Sequence, residues 1–402
     1  MPSETARRNP STLAVYRDPN LLIVFGVTLM AVLGVSSIAP AFPRIGRALG
    51  LPSQAVGNLI TAFTLPGVLL TPILGVLTDR WSRKRILVPS LMVFGLAGGA
   101  CSLVHDFVLL LVLRFVQGIG AASLSVLYIT LIGDLYRGEA RTTAMGYNAS
   151  VLSIGTAGYP VIGGALATLG WAYPFALPIL AVPIGFLVLF GLENPEPKRE
   201  QGLSTYFQQA WDSIKHRQAI GLFALTLMTF AIIYGAYLTY LPFLMENAFH
   251  ASPLVIGIAM SGMSLATALT ASQLGRLARV YSERTLLQVA CGLYAAALLM
   301  IPLTASLWVL GIPVILFGLA QGLSIPNLQT LLAGLAPLEH RGAFMSINGM
   351  ILRLGQTLGP PLMGTVFGIW GIEGAFYAAA AIAVAMFVLT TAVIKRRRAD
   401  GS

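Results

Sequence analysis

Two arginines sit where a charge is least expected. Arg114 and Arg353 each fall inside a long apolar run. A charged side chain at the centre of a spanning helix costs about 2.5–3.5 kcal/mol on insertion scales, so it is normally turned inward and functional. Ser346, Gly349, Arg353, Gln356 and Pro360 recur at three- and four-residue steps and share one helical face. Two kinds of chemistry are open to Arg353: pairing with carbonyls and Gln356, or meeting an anionic group on a bound molecule. Arg114 shares a face with Gly118, Ala121, Ser125 and Tyr128, and either serves that inward face or snorkels to a nearby membrane boundary. No Asp or Glu lies deep in an apolar run. Asp79, Asp134 and Glu246 are all near run ends, so Arg353 has no obvious buried counter-ion. Tyr234 and Tyr237 are deeper and suit the wall of a cavity, whereas Tyr240 beside Pro242 suits an interfacial aromatic belt. Asn58, Thr61, Thr64, Gln321, Asn327 and Asn348 are further polar candidates, each of which also serves as glue between helices.

The elements that must position these groups are spanning helices. Of 402 residues 56% are hydrophobic and only 10% charged, with a mean hydropathy of +0.80; a soluble domain is about 25% charged. No water-soluble fold hides that much apolar surface. Apolar runs fall near 20–43, 54–77, 86–104, 107–132, 143–168 and 171–192, and again near 218–245, 253–277, 285–303, 306–333, 341–368 and 371–394. Each is about the length a bilayer requires. A beta-barrel is excluded by run length and by the lack of alternation. The expected organisation is an all-α integral membrane chain of twelve helices: residues 1–192 form one six-helix bundle, 193–217 a linker, and 218–402 a second bundle with a basic tail. In the linker Leu203, Phe207, Trp211 and Ile214 recur at helical spacing, which predicts an amphipathic helix in the membrane interface.

Charge supplies the orientation. Twelve crossings put both termini on one side. Arg44 and Arg47 lie on the opposite side and Arg114 and Arg353 within spans; every other Lys and Arg falls on the side of the termini. The positive-inside rule makes that side cytoplasmic. The same placement, in short loops between apolar runs, excludes nucleic acid as the reason for the net charge of +10. Cys101 and Cys291 lie in apolar runs and read as buried thiols, and the four histidines show no metal-ligand spacing. No cofactor is implied.

The chain is also doubled. Gly75/Gly275, Leu77/Leu277, Ser82/Ser282 and Leu87/Leu287 coincide at a constant offset of 200, as do Glu139/Glu339, Arg141/Arg341, Asn148/Asn348, Gly155/Gly355, Pro160/Pro360 and Gly164/Gly364. Two parallel six-helix halves joined by a linker are a transporter architecture, with the substrate site near the midplane between them.

The turn Gly75-Val-Leu-Thr-Asp-Arg-Trp-Ser-Arg-Lys-Arg closely resembles the loop motif of the major facilitator superfamily, with Gly75, Leu77, Asp79, Arg80, Arg83 and Lys84 matching and Ser82 where the family usually has Gly. Asp79 ends a helix whose dipole disfavours an anion, so it needs a positive neighbour. The resemblance implies a latch in which this acid docks the start of the eleventh helix, here near Arg341, and closes the cytoplasmic side. Arg114-Phe-Val-Gln117-Gly118-Ile-Gly120 resembles a second family motif whose Arg is assigned to proton-linked transport. Gly155-Thr-Ala-Gly158-Tyr159-Pro160-Val-Ile-Gly163-Gly164 resembles the antiporter motif, with Tyr159 replacing the usual Gly. The second half keeps Gly359-Pro360. Gly155, Pro160, Gly163, Gly164, Gly359 and Pro360 then serve as close packing or as a hinge between halves.

The resemblance implies a secondary transporter of the twelve-helix drug and metabolite efflux branch, a monomer in a bacterial-type cytoplasmic membrane. Its cargo is a small amphipathic or organic molecule moved by alternating access and coupled to protons. Coupling would then run through Asp79, Asp134, Glu246 or the surroundings of Arg114. The alternative is exchange or facilitated diffusion of an anionic amphiphile at Arg353. Candidate substrate contacts are Arg353, Gln356, Asn348, Tyr128, Tyr234, Tyr237 and Gln321. A membrane enzyme or a channel is disfavoured, because the sequence has no catalytic constellation and no filter or charged-ring signature.

Overall fold

The computed structural model describes residues 15–80, 82–193, 217–335 and 341–394, with the side chains of residues 75, 76, 78–80 and 341–343 outside the described set. The expected linker helix at 203–214 lies outside the described residues. Among the described residues the regular structure is entirely helical.

Helix α1 (Pro19–Ser36) begins on Pro19, whose missing N–H is no loss in a first turn. Asp18 caps it, accepting from the Asn20 amide at 2.9 Å. The run continues to 43 in sequence, but α1 stops earlier. Pro40 and Pro43 cannot donate to the preceding turn, and the chain passes through a tight turn at Ala39–Ala41 into a short helix at Phe42–Ala48. Then follow α2 (Asn58–Arg80), α3 (Arg83–Cys101), α4 (Phe107–Leu135) and α5 (Gly138–Leu169). The sixth crossing opens as a 3-10 segment, Tyr173–Leu180, where Pro174 and Pro178 interrupt the ladder, and becomes α6 (Ala181–Gly191).

The second half starts with α7 (Arg217–Phe249), whose middle widens into a π-turn over Ile232–Tyr237. It continues with α8 (Pro253–Val280), α9 (Glu283–Met300) and α10 (Leu307–Leu335). The last helix runs unbroken over Arg341–Val393 except at Gly371, where φ is 73° and ψ −172°. A side chain resists that left-handed φ and glycine does not, so the chain turns there into α11 (341–370) and α12 (372–393). Eleven continuous stretches among the described residues are long and apolar enough to cross a bilayer, and the bend at Gly371 makes twelve crossings of them.

The first and last described residues, 15 and 394, lie at one face of the bundle, the terminal face. It is stitched within the first half by side chains: Tyr136 donates to Asp18 at 2.6 Å, the Glu193 amide to Asn20 at 2.8 Å, Arg83 to Asp134 at 2.9 Å and Lys84 to the Leu189 carbonyl at 3.1 Å. On the opposite face Arg44 donates to the Ala167 and Thr168 carbonyls at the end of α5, satisfying acceptors that a helix C-terminus leaves open.

The doubling seen in sequence recurs in packing. Gly118 of α4 lies against the Phe63 carbonyl of α2, and Gly318 of α10 lies against the Met263 carbonyl of α8. Gly155 of α5 faces Leu29 and Val32 of α1, and Gly355 of α11 faces Leu227 and Phe230 of α7. At Gly118, Gly318 and Gly355 an added Cβ would meet backbone within 2.5 Å and separate the paired helices, which is how small residues let membrane helices approach. The two halves meet along α2–α11 and α5–α8.

Candidate functional site

The two buried arginines turn out to have different surroundings. Arg114 is 1% exposed. Its guanidinium reaches three elements: Nη2 donates to the Gly34 carbonyl at 2.9 Å, Nε to the Leu59 carbonyl at 3.3 Å, and Nη1 to Gln117 Oε1 at 2.7 Å. Its Cζ stands 4.3 Å from the centre of the Phe63 ring. The Gly34 carbonyl is available because α1 ends two residues later, and the Ile38 amide bonds to Val35 instead. Arg114 thus closes the end of α1 onto α2 and α4.

Arg353 is half-buried and lies between the halves. Its Nη1 donates to Gln356 Oε1 at 3.1 Å, one turn away on the same helix, and its Nη2 to Ser125 Oγ of α4 in the other half, also at 3.1 Å. Tyr128 and Tyr234 are both near enough to interact electrostatically with it, and Tyr234 sits beside Gln356. Gly67 of α2 makes room for its stem: a Cβ there would come within 3.1 Å of Arg353 Cδ. One turn further along α11, Thr357 meets Thr64 hydroxyl to hydroxyl at 2.8 Å, and its carbonyl accepts from Thr61 at 3.1 Å.

The structure therefore gathers Arg353, Gln356, Tyr128 and Tyr234 with Ser125 and Gly67. Asn348 is 4% exposed, and its Oδ1 has no hydrogen-bond partner among the described residues; the same holds for Gln321 Oε1. Tyr237 is enclosed within the second half, stacked on Phe317 at 4.4 Å, and does not reach the cluster. Tyr240 is buried and stacked on Phe367 at 5.0 Å rather than standing in an interfacial belt. Gly67 and Thr357 went unnoticed in the sequence, because a glycine or threonine in an apolar run signals nothing until its neighbour across the halves is known.

The acids at helix ends separate in the same way. Asp134 pairs with Arg83 inside the first half. Glu246 pairs with Arg47 at 2.5 Å, across the two halves on the opposite face. Gly164 abuts the Pro253 carbonyl, and Gly257 abuts the Pro160 carbonyl, so the α5 motif seals against α8 on that face. Gly163 abuts the Ser37 carbonyl of α1, and Gly359 packs on Ala231 and Gly235 of α7 with backbone atoms 2.7–3.0 Å from where a Cβ would stand. Gly57 and Pro360 meet near Thr239. The side chains of Asp79, Arg80 and Arg341, and the surroundings of Gly75 in α2, lie outside the described set.

A family model described as "Major Facilitator Superfamily" matches residues 24–248 and 241–402. The chain belongs to the Major Facilitator Superfamily. It is a transporter and not an enzyme, embedded in a lipid bilayer and acting on a small molecule. Among curated proteins it is similar to the "Bacillibactin exporter" of Bacillus subtilis (strain 168), at 25% identity over 86% of this chain and 89% of that protein. It is also similar to "Quinolone resistance protein NorA" of Staphylococcus aureus (strain MRSA252), at 24% identity over 95% of this chain and 98% of that protein. Among solved structures the nucleoside transporter NupG superposes with a TM-score of 0.79 at 13% identity, covering 94% of this chain and 100% of that one. That likeness concerns the fold.

Proposed function

We propose that this superfamily member exports a small amphipathic organic molecule across a bacterial cytoplasmic membrane by alternating access, in exchange for protons, with both termini in the cytoplasm. The observation that carries the reading is the polar cluster of Arg353, Gln356, Ser125, Tyr128 and Tyr234, contributed by both halves and holding a half-buried cation between them. A site shared between halves is loaded on one face and released on the other as the halves rock. The relatives named as an exporter and as a quinolone resistance protein support outward transport of organic molecules.

Of the coupling candidates with described side chains, Glu246 is the one whose protonation alters a contact between halves, since a neutral carboxyl no longer attracts Arg47. Asp134 bridges two helices of one half, and Arg114 is held by carbonyls. Closure at the terminal face is assigned to Asp79, Arg80, Arg83, Lys84 and Arg341, the residues of the loop motif and its partner helix. Proteoliposome flux of amphipathic dyes under an imposed pH gradient tests the proposal. Dye movement that accelerates with the gradient is expected. Movement indifferent to it removes the proton coupling, and no movement of any dye removes export. A second reading, exchange of an organic anion without protons, is favoured by the lack of a carboxylate beside Arg353 among the described residues.

A further inference from the structure

We infer that Arg353 is a carboxylate-binding residue and that the transported compound is an organic monoanion with an apolar body. The inference rests on the inter-half site proposed above and names what that site recognises.

The contrast between the two arginines is the starting point. Arg114 directs its three nitrogens at fixed acceptors and is closed off from solvent. Arg353 makes two hydrogen bonds, both to neutral side chains, and leaves part of its surface open. A guanidinium has five donors in a planar fork. At least three donors of Arg353 therefore remain for something that is not in the protein. Because Arg353 is only half-buried, those donors can be reached by a bound molecule.

The missing partner is anionic. Every Asp and Glu with a described side chain lies within about a turn of a helix end or in a loop, far from the middle of α11. A cation in a low-dielectric setting with only neutral acceptors is undercompensated, and a carboxylate that matches the fork supplies two parallel charge-assisted bonds. Ser125 occupies the position such a ligand would take, as a weak neutral acceptor from the other half. Its displacement frees the one described side-chain hydrogen bond that ties α4 to α11. Binding of the anion thus loosens the contact that the halves must exchange as they rock.

Charge number and shape follow from the neighbours. Each nitrogen of Arg114 is already turned to an acceptor within the first half, and no third cation lies inside a span, so the site neutralises a single negative charge. Tyr128, Tyr234 and Phe230, whose ring lies 6.3 Å from that of Tyr234, offer half-exposed aromatic surface beside the charge. An aromatic or aliphatic body attached to the carboxylate would rest there. Gly67 leaves room for the arginine stem, which an added Cβ at that point would press at 3.1 Å. The equivalent of Arg353 in the first half is Ser153, and that of Gly67 in the second is Thr267, so this charged site breaks the internal symmetry.

The test uses the full-length protein in nanodiscs, titrated by calorimetry with 2-naphthoate, biphenyl-4-carboxylate and their neutral amides. Wild type is expected to prefer each acid over its amide by about tenfold or more, as one charge-assisted pair would give. Arg353→Gln is expected to bring that ratio to near one, and Arg353→Lys to retain part of it. Ser125→Ala, a small change that leaves the fold intact, is expected to raise acid affinity about two- to threefold by removing a competing acceptor. Equal binding of acids and amides to wild type, or an acid preference that survives Arg353→Gln, overturns the inference and leaves the export reading standing. Binding of neither class overturns the inference, and the dye flux assay then decides the export reading separately.

Discussion

At the scale of single residues, the burden of each buried arginine is set by how completely its donors are used. Removing the Arg114 side chain strands the Gly34 carbonyl and Gln117 Oε1 in a dry interior, at about 1–3 kcal/mol for each buried acceptor left unpaired. Arg114→Gln is therefore expected to lower the thermal midpoint in detergent by clearly more than Arg353→Gln does. Arg114→Lys rescues little, since a single ammonium nitrogen cannot reach acceptors that three separate nitrogens of a planar fork now meet. Equal losses at the two positions would sink the distinction. At the terminal face, burial first and then the hydrogen bond to Asp18 push the Tyr136 phenol well above the ordinary tyrosine range. A raised value in the fold means that its contribution is complete below the unfolded tyrosine value of about 10 and fades as pH climbs beyond it. Tyr136→Phe is expected to cost about 1 kcal/mol at neutral pH, and the gap to wild type should narrow in melts above pH ~10. The solitude of Arg353 was legible in the sequence, because a list of acids shows none inside a span. The partners of Arg114 were not, because two of them are backbone carbonyls whose availability depends on where α1 breaks.

At the scale of elements, glycine spacing decides which helices touch, and the structure resolves what the motif alone leaves open. In the α5 motif Gly163 faces α1 of its own half, whereas its neighbour Gly164 faces the start of α8 in the other. Gly257 of α8 returns the contact by lying on the Pro160 carbonyl. Adjacent glycines on one helix thus serve packing within a half and sealing between halves. A bulky residue at Gly257 meets backbone, which cannot move aside, so the helices must part. Gly257→Leu is expected to admit a membrane-impermeant maleimide to a cysteine placed at Pro253 in an otherwise cysteine-free chain. Gly262→Leu, where an added Cβ meets nothing within 4 Å, is the matched control and is expected to leave that labelling slow. Fast labelling in both, or in neither, would refute the seal. Span number and order were readable from run length alone. The early end of α1 and the 3-10 start of the sixth crossing were written in their prolines, yet apolar content masked them. The π-turn at Ile232–Tyr237 had no local signature, because it depends on how α7 packs against α11 at Gly235 and Gly359.

At the scale of the whole molecule, the doubling of the sequence fixes two like bundles but says nothing of how they are joined. The described side-chain hydrogen bonds between halves lie at mid-bundle, through Arg353, Thr61, Thr64 and Thr357, and on the opposite face, through Arg47 and Glu246. Arg47 and Glu246 are separated by half the chain, and each alone reads as a loop charge. The Arg47 side chain is 66% exposed and that of Glu246 16%, so the pair contributes at most about 1 kcal/mol after solvent screening. That is too little to lock a transporter and enough to shift a balanced equilibrium by up to about fivefold. The exposed positions Leu103 and Leu303 end the third and ninth crossings on the same face. Spin labels there, with Cys101 and Cys291 replaced by Ala, would report the separation of the halves. Glu246→Gln should enlarge the long-distance population by a few-fold, and Glu246→Arg should enlarge it further through repulsion from Arg47. Adding Arg47→Glu to Glu246→Arg restores an opposite-sign pair at the same place and should return the distribution toward that of wild type. A swap that stays as open as Glu246→Arg alone would mean that the carboxylate acts through some group other than Arg47, and the proton-linked opening assigned to this pair would fall with it.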